Sequence, residues 1–385
     1  MKLLFLSPGI SRRDFWQAAI ANFLFFCNIN AFNLLPLYIQ ELGGSGAEIG
    51  WIMGVYSLAA ILCQPLVGRF VERIGIKPFL LIGGATTLLT SLLFAFLTAL
   101  SPLFLLLRLL QGFGSSAFFI ANFTLIAEIA PEKNRAEAVG IFGISGLITI
   151  GAAPAFGELL IHAFGYQIFF LATALSTLGS LLVVKGLKPP RMTFVPGYSA
   201  DGGMNGRVLL PLILCTIFGV ASGALFAFLP PFAREAGLPR IGIFYFLYSA
   251  SAVGVRIFGI RLADTWERWK VLAPAFLLNA TGIFLLLWPD PLTTFSWAGV
   301  LTGGAHGLLY PTLSALLVDQ VGPGYRGRVL GLFSGAVLLG TSIGAIGMGQ
   351  VAHLVGYPRM FALTGLLPLL GVLLIGFRRR KKIEP

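Results

Sequence analysis

Arg108 stands inside a long apolar run, in the stretch Arg108-Leu109-Leu110-Gln111-Gly112-Phe113-Gly114, with Gln111 one helical turn further along the same face. An arginine in a spanning helix costs about 2.5–3.5 kcal/mol to insert, so it must face the protein interior or a wet cavity. Glu158 lies in a second apolar run with no base beside it, and a carboxyl there can carry a proton. His306, within GGAHGLLYP, is the third titratable group at depth, and Tyr310 sits one turn away on its face. An imidazole changes charge near neutral pH. Proton transfer coupled to ligand contact is the chemistry these residue types suit; covalent catalysis would need clusters that the three scattered histidines do not form. Neutral donors and acceptors accompany them. Asn28, Asn30 and Asn33 lie among Phe23, Phe25, Phe26 and Phe32, and Asn30 and Asn33 with Asn122, Tyr248 and Tyr310 would line a cavity for a neutral or amphipathic organic molecule. Arg108 and Arg256 could instead hold an anionic group, Arg256 lying toward the cytoplasmic mouth. Cys27, Cys63 and Cys215 fall in apolar runs without CxxC spacing, so no metal site and no disulfide framework is expected.

These groups need helices to hold them. The chain has 385 residues, 57% hydrophobic and 11% charged, against about 25% charged in a soluble domain. An ordinary soluble enzyme is thereby excluded. Apolar runs punctuated by turns and charges predict helices at about 15–40, 48–68, 78–99, 102–127, 137–162 and 167–185. A second set follows at about 207–234, 241–261, 271–288, 294–318, 328–354 and 358–377. The expected fold is an all-α integral membrane protein of twelve transmembrane helices.

A net charge of +12 would suggest a nucleic-acid partner in a soluble protein, but here its distribution has a topological reading. With the N-terminus cytoplasmic, Lys2, Arg12 and Arg13, then Arg69, Arg73 and Lys77, then Lys133 and Arg135 fall inside. So do Lys185, Lys188, Arg191 and Arg207, then Arg261, Arg268 and Lys270, then Arg326 and Arg328, and the tail Arg378 to Lys382. Arg234, Arg240 and Arg359 fall outside. Short loops with that asymmetry place both termini in the cytoplasm, in the cytoplasmic (inner) membrane, and no nucleic-acid partner is expected. The opening stretch, with an apolar run of about four residues before Pro8, is too short for the core of a signal peptide.

The chain also repeats itself roughly 192 residues apart. "LPLYIQELG" at Leu35–Gly43 matches "LPPFAREAG" at Leu229–Gly237. Ile49, Gly50, Tyr56 and Ser57 answer Ile241, Gly242, Tyr248 and Ser249, while Arg69 and Glu72 answer Arg261 and Asp264. The expected organisation is an N-terminal six-helix bundle at 1–185, a Pro-, Gly- and Ser-containing cytoplasmic linker at 186–206, and a C-terminal six-helix bundle at 207–385. Parallel repeats of this kind place the substrate site where the halves meet, near the membrane midplane.

Gly68-Arg69-Phe70-Val71-Glu72-Arg73-Ile74-Gly75-Ile76-Lys77 resembles the GxxxDRxGxK signature of the major facilitator superfamily, with Glu in place of Asp. Its second copy, Arg261-Leu262-Ala263-Asp264, has Ile260 and Glu267 at the two glycine positions. The Arg108–Gly114 stretch resembles the RxxQGxG motif of the same superfamily, and the resemblance covers essentially the whole chain. It implies a cytoplasmic latch in which Glu72 reaches the helix start near Arg328, and Asp264 the helix start near Arg135. Ala153-Pro154-Ala155-Phe156-Gly157-Glu158 falls on the antiporter signature GPxxGG and lacks two of its glycines.

The expectation is a monomeric secondary transporter, working in the lipid bilayer by alternating access. It would export a small organic molecule in exchange for protons, with the proton gradient as energy source, no cofactor and no catalytic residue. The alternatives are an uptake symporter for a sugar, organic acid or metal chelate, and a lipid or lysolipid translocase. An ATP-driven machine lacks its GxxxxGK[ST] loop, and no channel-like polar rings repeat.

Overall fold

The computed structural model describes residues 12–130, 135–189, 208–238, 240–259, 267–288, 290, 293–322 and 325–383. Every described element is helical. α1 (Arg12–Ala31) passes through a 3-10 turn, Phe32–Leu34, into α2 (Leu35–Glu41). α3 (Gly46–Ile74), α4 (Ile76–Phe94), α5 (Leu103–Ile129), α6 (Arg135–Gly186) and α7 (Leu209–Glu235) follow. α8 (Gly242–Gly254) ends in a π-helical turn, Val255–Gly259. α9 (Arg268–Leu285), α10 (Thr294–Val318), α11 (Arg326–Val355) and α12 (Tyr357–Ile383) complete the order. Eight helices among the described residues are long and apolar enough to cross a membrane, and α8 with its π turn is a shorter apolar helix. α9 and α10 are not among the eight. α6 counts once, although Gly165 (φ 78°, ψ 178°) breaks it into two helical stretches.

Local chemistry sets the helix ends. Ser45 and Glu48 form a capping box at the start of α3: the Ser45 N–H and hydroxyl both donate to Glu48 Oε2 at 2.8 Å. The repeat reappears as matched backbone geometry. Gly43 (φ 84°) closes α2 with Gly44 N–H donating to the Ile39 carbonyl, and Gly237 (φ 69°) closes α7 with Leu238 N–H donating to the Ala233 carbonyl. Only a residue without Cβ takes that left-handed turn cheaply. Gly165-Tyr166 and Gly356-Tyr357 match in the same way, Gly356 (φ 81°) separating α11 from α12.

The chain forms two compact units. The first comprises residues 1–35 and 58–196, the second 36–57 and 197–385. In the first, α1 packs on α6, and α4 on α5 and α6. Its core is aromatic: Phe25 and Phe118 stack with centroids 3.8 Å apart, and Phe32, Phe94 and Phe170 form a second group. In the second, α7 packs on α11, α10 on α8 and α9, and α12 on α9 and α7. Small residues allow the closest approach there. A Cβ on Gly340 would lie 2.3 Å from the Thr216 carbonyl oxygen, and one on Gly344 2.1 Å from that of Val220. The same unit holds the 36–57 hairpin against α11: a Cβ on Gly50 would meet the Ala345 carbonyl at 2.5 Å, and Ser342 Oγ donates to the Gly54 carbonyl at 3.0 Å. Arg234 donates to the Leu37 carbonyl and pairs with Glu41 at 3.5 Å, while Gln40 donates to Glu235 at 3.1 Å.

Candidate functional site

In the first unit, Arg108 is 3% exposed on α5, and its Nη1 donates to Gln111 Oε1 at 2.5 Å. Gln111 Nε2 donates in turn to Asn28 Oδ1 at 3.4 Å, and Asn28 Nδ2 donates to Ser91 Oγ at 2.7 Å and to the Thr173 carbonyl at 2.8 Å. One polar chain thus joins α1, α4, α5 and α6 through an otherwise apolar bundle, with the Phe32 ring 5.8 Å from the guanidinium carbon. Its acceptors meet the demand that burying a cation creates. The other helix 1 amides are also engaged in packing. Asn30 Nδ2 donates to Thr149 Oγ1 at 2.7 Å; Asn122 Nδ2 donates to Asn22 Oδ1 at 3.3 Å, and Asn22 Nδ2 to Ser145 Oγ at 2.9 Å. Asn122 is fully buried, so it serves the α1–α5 contact; Asn33 lies half-buried in the 3-10 turn.

In the second unit, the Tyr248 hydroxyl on α8 and His306 Nδ1 on α10 are 2.5 Å apart. When the phenol donates, the ring carries its proton on Nε2. Tyr310 stacks on the imidazole at 5.7 Å and 13°, and Phe218 of α7 meets it edge-on at 5.3 Å. Phe226 of α7 abuts Tyr248, and Phe333 of α11 abuts Tyr310. The Arg256 guanidinium carbon, in the π turn, lies 5.6 Å from the Tyr310 ring centroid. Tyr248 is 2% exposed, while Phe226, Arg256, His306 and Tyr310 are partly accessible at the meeting of four helices. Gly303 makes that meeting close, since a Cβ there would lie 2.1 Å from the Tyr248 carbonyl oxygen.

Glu158 is 8% exposed near the end of the first stretch of α6. It has a base one turn away after all: His162 Nε2 lies 3.9 Å from its Oε1. In the loop signature, Gly75 (φ 105°) separates α3 from α4, and Lys77 Nζ donates to the Lys185 and Leu187 carbonyls at 2.8 and 2.9 Å. Lys77 therefore caps the C-terminal end of α6, where carbonyls lack helical partners and the dipole favours a cation. Arg69, Glu72, Arg73 and Arg328 are exposed, and Gly68 is open to substitution. The second copy reads differently at its last position: Glu267, the counterpart of Gly75, has φ −56° and ψ 124°. Arg261 and Asp264 lie outside the described residues, and of Arg135 only the backbone, opening α6, is described.

Sequence reading pairs Arg108 with Gln111 and His306 with Tyr310 through their helical spacing. It does not single out Ser91 and Thr173 on the first unit's polar chain, or Phe218, Phe226 and Phe333 around His306. Nothing in their own segments marks them, because each acts across helices.

The family model described as Major Facilitator Superfamily matches residues 18–301 and 248–385. The staphylopine export protein of Staphylococcus aureus is 25% identical over 98% of both chains. The multidrug resistance protein 1 of Bacillus subtilis is 26% identical over 85% of this chain and 86% of its own. Among solved structures, the nucleoside transporter NupG superposes with a TM-score of 0.79 at 16% identity, covering 94% of this chain and 98% of that one. An inward-facing bacterial homologue of the lysosomal transporter Spinster gives 0.75 at 16% identity, covering 97% and 98%.

Proposed function

The chain belongs to the major facilitator superfamily, and from that premise we propose that it exports a small organic molecule across the cytoplasmic membrane by alternating access, in exchange for protons. Membrane transport is what its relatives share; direction and coupling are our reading. The observation that carries it is the placing of two polar clusters inside apolar helices, Arg108–Gln111–Asn28 in one unit and Tyr248–His306–Tyr310 in the other. Polar groups inside a membrane are costly and mark substrate or proton paths. Export is supported by the relatives named as an export protein and as a multidrug resistance protein.

In this reading the protein is a monomer of twelve spans, with six-helix halves at 1–185 and 207–385, the 186–206 linker and both termini cytoplasmic. The 36–57 hairpin, which packs on α11 within its unit, is assigned as an outer gate element. The exposed signature residues Glu72 and Arg328 form the cytoplasmic latch when the transporter turns outward, as Asp264 and Arg135 do in the second copy. Proton carriage is assigned to Glu158 and His306.

The test is transport of a panel of organic compounds by proteoliposomes, comparing wild type with Glu158→Gln, His306→Ala and Arg108→Ala. Impaired transport in these variants is expected. Normal transport by all three would remove the site assignment, and ATP hydrolysis or single-channel currents in the purified protein would remove the transporter class.

A further inference from the structure

Arg256 differs from every other charged group described in the second unit. Measured from Gly242, it lies about 21 Å along its helix, well within the apolar thickness. Its Nε is buried without a hydrogen-bond partner among the described residues. The acidic residues described in that unit are committed elsewhere, all at helix ends. Glu41 pairs with Arg234, Glu48 with Ser45, Glu235 with Gln40, Glu267 with Lys270, Asp290 with Thr293 and Asp319 with Arg268. Arg108, by contrast, spends a guanidinium N–H on Gln111.

The face that Arg256 does engage is aromatic, the Tyr310 ring, itself stacked on His306. It is carried by a π-helical turn, a rare geometry that recurs at functional sites. Among the described residues no carboxylate pairs with this guanidinium, whose fork is built to take a planar acceptor. Resting on the export reading above, we propose that Arg256 is the anion anchor of the substrate site, so that the exported molecule carries a carboxylate, held by Arg256, next to an unsaturated or aromatic body that packs on Tyr310 and His306.

The test uses proteoliposomes and matched pairs of aromatic carboxylic acids and their primary amides, such as N-acetylphenylalanine and N-acetylphenylalaninamide. Among pairs that wild type transports, the acid should move at least tenfold faster than the amide, as expected for one charge-assisted hydrogen bond. Arg256→Gln should erase that preference, with its folding checked independently by size-exclusion elution and the thermal unfolding midpoint in detergent, and Arg256→Lys should keep part of the preference. Equal transport of acid and amide by wild type, or a preference that survives Arg256→Gln, overturns the anion site and leaves the transporter reading standing. Failure of wild type to move any pair or any neutral compound overturns both.

Discussion

The Tyr248 hydroxyl and His306 Nδ1, 2.5 Å apart and carried by different helices of one unit, form a direct polar link between α8 and α10. The pair orients an imidazole whose faces are already held by Tyr310 and Phe218. Tyr248→Phe removes the link and keeps the ring. Transport should fall by about 2- to 10-fold, the equivalent of one neutral hydrogen bond, and the unfolding midpoint should drop modestly because His306 Nδ1 loses its donor. His306→Ala should cost more, and the double variant no more than His306→Ala alone. Additive losses in initial rates of proteoliposome transport would show that the two residues act separately.

Removing Arg108 strands its partner. Arg108→Leu leaves Gln111 Oε1 without its donor inside a bundle where Asn28 and Ser91 depend on the same chain. A buried unsatisfied acceptor costs about 1–3 kcal/mol. The midpoint of thermal unfolding in detergent should drop accordingly, and Arg108→Leu/Gln111→Leu, which removes both partners, should recover part of the loss.

Much of this was legible in one sequence, for physical reasons. Arg108–Gln111 is a contact within one helical turn, so its spacing exposes it; Glu158 and His162 are likewise one turn apart, yet Glu158 reads as a carboxyl with no base beside it. Gly43 and Gly237 end matching segments of the two repeats and Gly75 stands in the loop signature, and the structure gives each a positive φ. Glu267 at the second copy's glycine position correctly marks a turn built another way. Contacts between helices were not legible. Asn122 reads as a cavity residue, yet its amide reaches Asn22 on α1; Tyr248 and His306 are separated by 58 residues and no local pattern joins them. Arg256 reads as a mouth residue, and only the neighbouring Tyr310 ring shows where its charge is directed.

The cap on α6 gives a milder prediction. Lys77→Met deletes two hydrogen bonds to terminal carbonyls and a favourable charge at a helix C-terminus. A loss of about 0.5–2 kcal/mol is expected, seen as a lowered unfolding midpoint with substrate selectivity unchanged. A change of selectivity would place Lys77 in the transport path instead.

The outer hairpin can be locked. A Cβ on Gly46 lies 3.2 Å from the Ala352 Cβ, a few tenths of an ångström short of the disulfide range of about 3.5–4.5 Å, so a small outward shift would allow the bond. In a background without Cys27, Cys63 and Cys215, Gly46→Cys/Ala352→Cys should cross-link on mild oxidation, stop transport, and regain it on reduction. Full transport by the cross-linked protein would show that this contact does not open during the cycle.

The most direct measurement is accumulation of a transported compound by proteoliposomes under a pH gradient imposed in either direction. Proton exchange predicts accumulation when the lumen is the acidic side, collapse with a protonophore, and no accumulation when the gradient is reversed. Accumulation with an acidic exterior, or transport indifferent to the gradient, contradicts proton-coupled export.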